Sequence, residues 1–113
     1  MKFEIDFQLA EIRPGGFVTG RNCGVDAKVG TLFTAVYRRV FPLVSPGENI
    51  QDLSRDFVCH ISLKLESIEV YGHRLDLLSS GLTALIGLSG PDLSIISKLI
   101  SEAPTRTYYS LVA

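Results

Sequence analysis

The feature that most constrains this chain is a repeated one: short apolar runs alternating at period two, each cut off by glycine or proline. Phe3, Ile5, Phe7 and Leu9 alternate with Glu4, Asp6 and Gln8. Side chains of a strand point to opposite faces in turn, so this pattern predicts one buried and one wet face. Pro14-Gly15-Gly16 ends the run, because proline fixes φ and glycine tolerates φ > 0. Residues 17–23 predict a second strand, with Gly20 inside it marking a bulge or a close backbone approach. After a polar connection over 24–30, residues 31–41 are β-branched and aromatic, with Arg38 and Arg39 at the exposed end.

Residues 42–57 hold Pro42, Pro46, Gly47, Asn49, Asp52 and Asp56 and predict a loop, with room for a helical turn over 50–53. Residues 57–71 are strand material again. Ile61, Leu63 and Leu65 share one parity, whereas Ile68 and Val70 fall on the other. A change of phase at Ser67 predicts a bulge or corner there. A turn over 72–74 leads to residues 75–80, Gly81, and a compact apolar run over 82–88. Over 92–102, Leu93, Ile96, Leu99 and Ile100 are spaced for a helix. Ile95 and Ser97 keep a turn followed by a strand open. Residues 105–112, with Tyr108 and Tyr109, close the chain as β material.

Many short strands between turn signals predict an all-β barrel or sandwich. The 113 residues are 46% hydrophobic and 20% charged, enough for one core without metals or crosslinks. One domain spanning 1–113 is expected. Eleven basic against twelve acidic residues give a net charge of -1. That balance gives phosphate backbones little average attraction and little self-repulsion against homo-oligomer formation. No apolar stretch approaches the ~20 residues of a membrane span, and the start lacks the apolar core of a signal peptide. A soluble cytoplasmic protein is expected. Cys23 and Cys59 are far apart, outside any C-x-x-C spacing, and are expected as two buried reduced thiols.

Two segments resemble the barrel that follows the G domain in elongation factor Tu and other translational GTPases. One is Gly16-Phe17-Val18-Thr19-Gly20-Arg21, with Gly24 and Lys28-Val29-Gly30 downstream. The other is Ile68-Glu69-Val70-Tyr71-Gly72-His73-Arg74-Leu75-Asp76, followed by Gly81 and Gly90. The resemblance implies a small closed antiparallel β-barrel, with one short helix allowed. In that family, strands matching Glu69 and Tyr71 help receive the aminoacyl end of tRNA. Gly72 stands where the family has arginine and Thr83 where it has asparagine, so that role is not carried over. No G-x-x-x-x-G-K-[ST] loop occurs in the chain. A free-standing barrel is the expectation.

No catalytic constellation is visible. His60 sits beside Cys59, but neighbours in a strand point to opposite faces, and His73 falls in the turn. Neither a metal nor a cofactor is expected. Ser79 and Ser80 lack the G-x-S-x-G elbow of a hydrolase. The candidate binding residues are Arg21, Arg38, Arg39, Glu69, Tyr71 and Arg74. Tyr37 and Phe41 flank the arginine pair as stacking surfaces do in single-strand binders, although such a pair also marks a solvated strand end. Tyr108 and Tyr109 read equally well as a partner surface or as one core and one rim ring. The leading expectation is a non-enzymatic module that binds a protein partner, presenting its strands and the loop over 38–56. The alternative is an RNA- or ribosome-associated module.

Overall fold

The structure is a computed structural model and describes residues 4–40 and 55–113. Among the described residues, nine strands and one helix follow in order: β1 (Asp6–Arg13), β2 (Phe17–Asn22), β3 (Ala27–Lys28), β4 (Leu32–Val40) and β5 (Asp56–Val70). Then come β6 (His73–Leu75), β7 (Leu77–Leu78), β8 (Thr83–Ser89), α1 (Leu93–Ser101) and β9 (Thr107–Val112). The fold is mostly β. The expected loop over 42–57 lies largely outside the described residues, and its last two positions, Asp56 and Phe57, already belong to β5.

The main sheet runs β4-β9-β1-β2-β8-β5-β6, and β4 also pairs with β5. Six strands therefore form a ring, with β6 hanging from β5 as an outer flap. Every pairing is antiparallel. A separate two-residue ladder joins β3 to β7. Phe7, Val18, Phe33, Leu63, Leu65, Ile68, Ile86 and Leu111 are all buried and together form the core.

Two of the ring's register shifts fall where the sequence asks for them. On β5, the register with β8 slips between Leu65 and Ser67. That slip puts both Leu65 and Ile68 inside despite their opposite parity. On β1 a second slip falls between Leu9 and Glu11, across from Gly20. A Cβ at Gly20 would strike the Gln8 carbonyl and the Phe7 ring, so two strands approach there more closely than any side chain permits.

Residues 93–101 are helical, which decides between the two readings of that segment. Ile96 is buried in the core, while Leu93, Leu99 and Ile100 pack against it. Asp92 accepts a hydrogen bond from the Ser62 N–H at 2.7 Å, tying the helix start to β5. No described helix is long and apolar enough to cross a membrane.

Three sequence expectations need correction. Asp6 belongs to the supposedly wet face of β1, yet it is buried. Its carboxylate lies 3.3 Å from Arg55 and 3.6 Å from Arg39, and Arg55 also pairs with Glu4. A buried carboxylate is retained where cations face it, and alternation alone does not reveal such partners. The thiols are not both buried either: Cys23 is exposed, Cys59 half-buried, and both are free. The turn after β5 comes one residue early, at Tyr71 and Gly72, so His73 and Arg74 are strand residues.

Candidate functional site

Strand register decides which of the six candidate residues meet. On the outer face of β2, β8, β5 and β6, side chains fall into rows across the sheet. Phe17 pairs with Gly87, which pairs with Ser67; Thr19 pairs with Leu85, then Glu69, then Arg74; Arg21 pairs with Thr83. Val18, Ala84, Ile86 and Ile68 take the opposite parity and are buried. The core residues thus fix the outward rows. Glu69, Tyr71 and Arg74 gather there, and Arg21 joins the edge by donating from Nε to the Gly81 carbonyl at 3.1 Å.

A cleft of about 490 Å³ opens on this face, lined by Thr19, Glu69, Tyr71, Leu82 and Leu85 among others. Beside it, a cavity of about 190 Å³ is lined by Phe17, Ser67, Glu69, Arg74 and Leu85. Apolar walls carrying a few polar groups are the usual make-up of a binding surface.

Tyr71 stands over the cleft in an unusual conformation. β5 and β6 are joined by Tyr71 and Gly72 alone, with Val70 paired to His73. Tyr71 has φ 51° and Gly72 φ 79°. A two-residue hairpin with both central residues at positive φ strongly prefers Asn-Gly. A tyrosine there pays a left-handed penalty of about 1–2 kcal/mol. Nothing in the fold repays it, since the side chain is 97% exposed.

Arg38 and Arg39 lie elsewhere, on the part of β4 paired with β9. Neither presents a free cation: Arg38 lies 3.6 Å from Asp56 and Arg39 lies 3.6 Å from Asp6. Tyr37 receives the Arg55 guanidinium at 4.4 Å and meets Phe57 edge-on at 5.7 Å. Phe41 is outside the described residues. Sequence reading missed Asp6, Arg55 and Phe57, because the pairings that assemble them, β4 with β5 and with β9, and β9 with β1, join distant segments. Tyr109 is buried and Tyr108 exposed, the core-and-rim arrangement.

The environment of Cys23 holds its thiol above the ordinary value, first through desolvation and then through the Asp6 carboxylate, with Arg21 and Arg39 opposing. Cys59 is raised as well, by desolvation and Asp92. The thiolate is the reactive form, so Cys23 is a poor nucleophile at neutral pH although solvent reaches it. Alkylation of Cys23 by iodoacetamide is expected to be slower at pH 7.5 than that of a free cysteine, and its rate should climb to a midpoint above the free thiol's. A midpoint at or below that of free cysteine would contradict this reading. Among the described residues, no group of three or more His, Cys, Asp or Glu side chains is placed to hold a metal.

No family model, curated protein or solved structure matches the chain.

Proposed function

We propose that this chain is a non-enzymatic binding module, a closed β-barrel resembling the second domain of elongation factor Tu, that engages a protein partner through the cleft beneath Tyr71. The observation carrying this reading is Tyr71 itself, held at positive φ and almost wholly exposed. Backbone strain concentrates where surrounding structure or function maintains it. Tyrosine brings a large amphipathic surface with few rotatable bonds, which suits protein interfaces. The RNA-binding alternative drew on Arg21, Arg38, Arg39 and Arg74 with Glu69 and Tyr71, and its adjacent arginine pair, Arg38 and Arg39, faces carboxylates within 3.6 Å. Phosphate binding calls for cations free to replace counterions.

Tyr71→Asn separates function from folding. It creates the preferred Asn-Gly turn, so the variant should be more stable by about 1 kcal/mol, raising Tm by roughly 4 °C. The full chain, used as bait in nuclease-treated extract, is expected to capture a protein that Tyr71→Asn no longer captures. Recovery of RNA alone from untreated extract, weakened by salt and by Arg38→Glu with Arg39→Glu, would replace this reading with the RNA one.

A further inference from the structure

At the cleft the sheet splits. The ladder between β5 and β8 ends at the pair Glu69–Leu85. Beyond it β5 runs into the Tyr71-Gly72 turn, whereas β8 stays in register with β2 as far as Thr83, opposite Arg21. The cleft of about 490 Å³ occupies this gap, with Val70, Tyr71 and Gly72 on one bank and residues 81–85 on the other. Successive residues of a strand aim their N–H and C=O groups at opposite edges. The Leu82 carbonyl accepts from the Asn22 N–H at 2.9 Å, and the Leu88 N–H donates to the Gly16 carbonyl at 2.9 Å. Even-numbered residues of β8 therefore serve β2, and Leu85 and Gly87 serve β5. Thr83 shares the parity of Leu85, so its N–H and C=O aim at the place β5 has left. Among the described residues, neither the β5 ladder nor any turn supplies them with a backbone partner.

We infer that an extended segment of the protein partner takes up these two bonds, lying beside β8 as a short added strand with an apolar residue opposite Thr83. The inference rests on the protein-binding reading above and deepens it. In strand addition, main-chain hydrogen bonds supply affinity and pockets for alternate side chains supply selectivity. Edges kept from pairing commonly carry lysine or proline. The bank formed by Gly81-Leu82-Thr83-Ala84-Leu85 carries neither.

Register also selects the side chain. Residues directly opposite in a ladder share a face, so the partner residue opposite Thr83 points to the outer side. There it meets Leu85 one row along and Tyr71, which lines the cleft and is 97% exposed. An apolar side chain in that position is covered by the Tyr71 ring and removes both from water. The cleft walls are otherwise Val70, Leu82 and Ala84 with two threonines and two glycines, and Glu69 is the one charged residue lining them. A nucleic-acid strand would bring its phosphates beside that carboxylate and find no cation lining the cleft.

The test begins with random dodecapeptides displayed on phage and selected on the full chain. The most enriched peptide is synthesised with a fluorescein label, titrated by anisotropy, and remade with each backbone nitrogen methylated in turn. Methylation at one apolar position should weaken it about tenfold, the effect of a lost hydrogen bond that leaves the Thr83 carbonyl covered and unpaired. Amide hydrogen exchange on the 15N-labelled chain reads the other bond. In the free chain the Thr83 amide should exchange faster than that of Leu85, and saturating peptide should slow Thr83 about tenfold. Tyr71→Asn should weaken the peptide to a similar degree. Loss with Tyr71→Asn, but no methylation-sensitive position and no protection of Thr83, would overturn the added strand while leaving the protein-binding cleft standing. A Thr83 amide already protected in the free chain would overturn it too, as would a charged residue at the sensitive position or a selection that enriches nothing. Full binding by Tyr71→Asn, or displacement of the peptide by an oligouridine of twelve nucleotides, would bring down the cleft's protein-binding role as well.

Discussion

Gly20→Ala is expected to destabilise the fold by about 3 kcal/mol, the upper part of the range for overfilling a packed interior. The added methyl would meet the Gln8 carbonyl and the Phe7 ring. The carbonyl has little freedom to retreat, because Gln8 pairs with Arg21 on one side and Ser110 on the other. Gly20 is not in the left-handed region, so backbone strain adds nothing and the loss reports crowding alone. Gly81 is the natural control. It has φ 88° with nothing within 4 Å of a Cβ, and alanine there should cost about 1–2 kcal/mol from conformation only. Urea unfolding of the two variants distinguishes the mechanisms. Phe7→Leu should recover part of the loss in the Gly20→Ala background and none with Gly81→Ala, a coupling visible in a double-mutant cycle. A Gly20→Ala penalty below that of Gly81→Ala would mean that β1 gives way at its bulge.

The second large effect is expected at α1. Ile96→Ala should cost about 3 kcal/mol, within the usual span for emptying a buried aliphatic site. Ile95, its neighbour, is 37% exposed, and alanine there should change stability by no more than about 0.5 kcal/mol. Both substitutions favour the helix on propensity, so the difference isolates burial. Equal losses at the two positions would place α1 in a different rotation about its axis. A small loss at both would detach the helix from the core altogether.

How much of this was legible in the sequence differs from feature to feature. Local geometry was readable wherever a single residue type answers a single physical demand. Gly15 and Gly16 do adopt positive φ, as the Pro14-Gly15-Gly16 break implies. Ser67 does mark the slip that reverses parity on β5, because the apolar residues on either side had to reach the same core. What required coordinates is long-range. Nothing in residues 32–40 announces that they pair with both β5 and β9. That double pairing draws Arg38 and Arg39 toward Asp56 and Asp6, and away from Glu69, Tyr71 and Arg74. The candidate set was thus a mixture of two places on the molecule. Tyr71 stood out in the sequence only as a match to the resembling family. Its significance came from being the wrong residue for its turn, which needs the dihedral angle to see.

The pairing of β1 with β9 extends outward to a reciprocal pair of hydrogen bonds. The Ile5 N–H donates to the Ala113 carbonyl at 3.3 Å and the Ala113 N–H to the Ile5 carbonyl at 3.1 Å. Antiparallel partners held at the same end of their ladder separate one bond at a time under tension, like the teeth of a zip. Stretched between these two residues in an optical trap, the domain should therefore open by peeling, at low force. A load carried from a neighbouring protein through both residues would dismantle it long before its thermal limit.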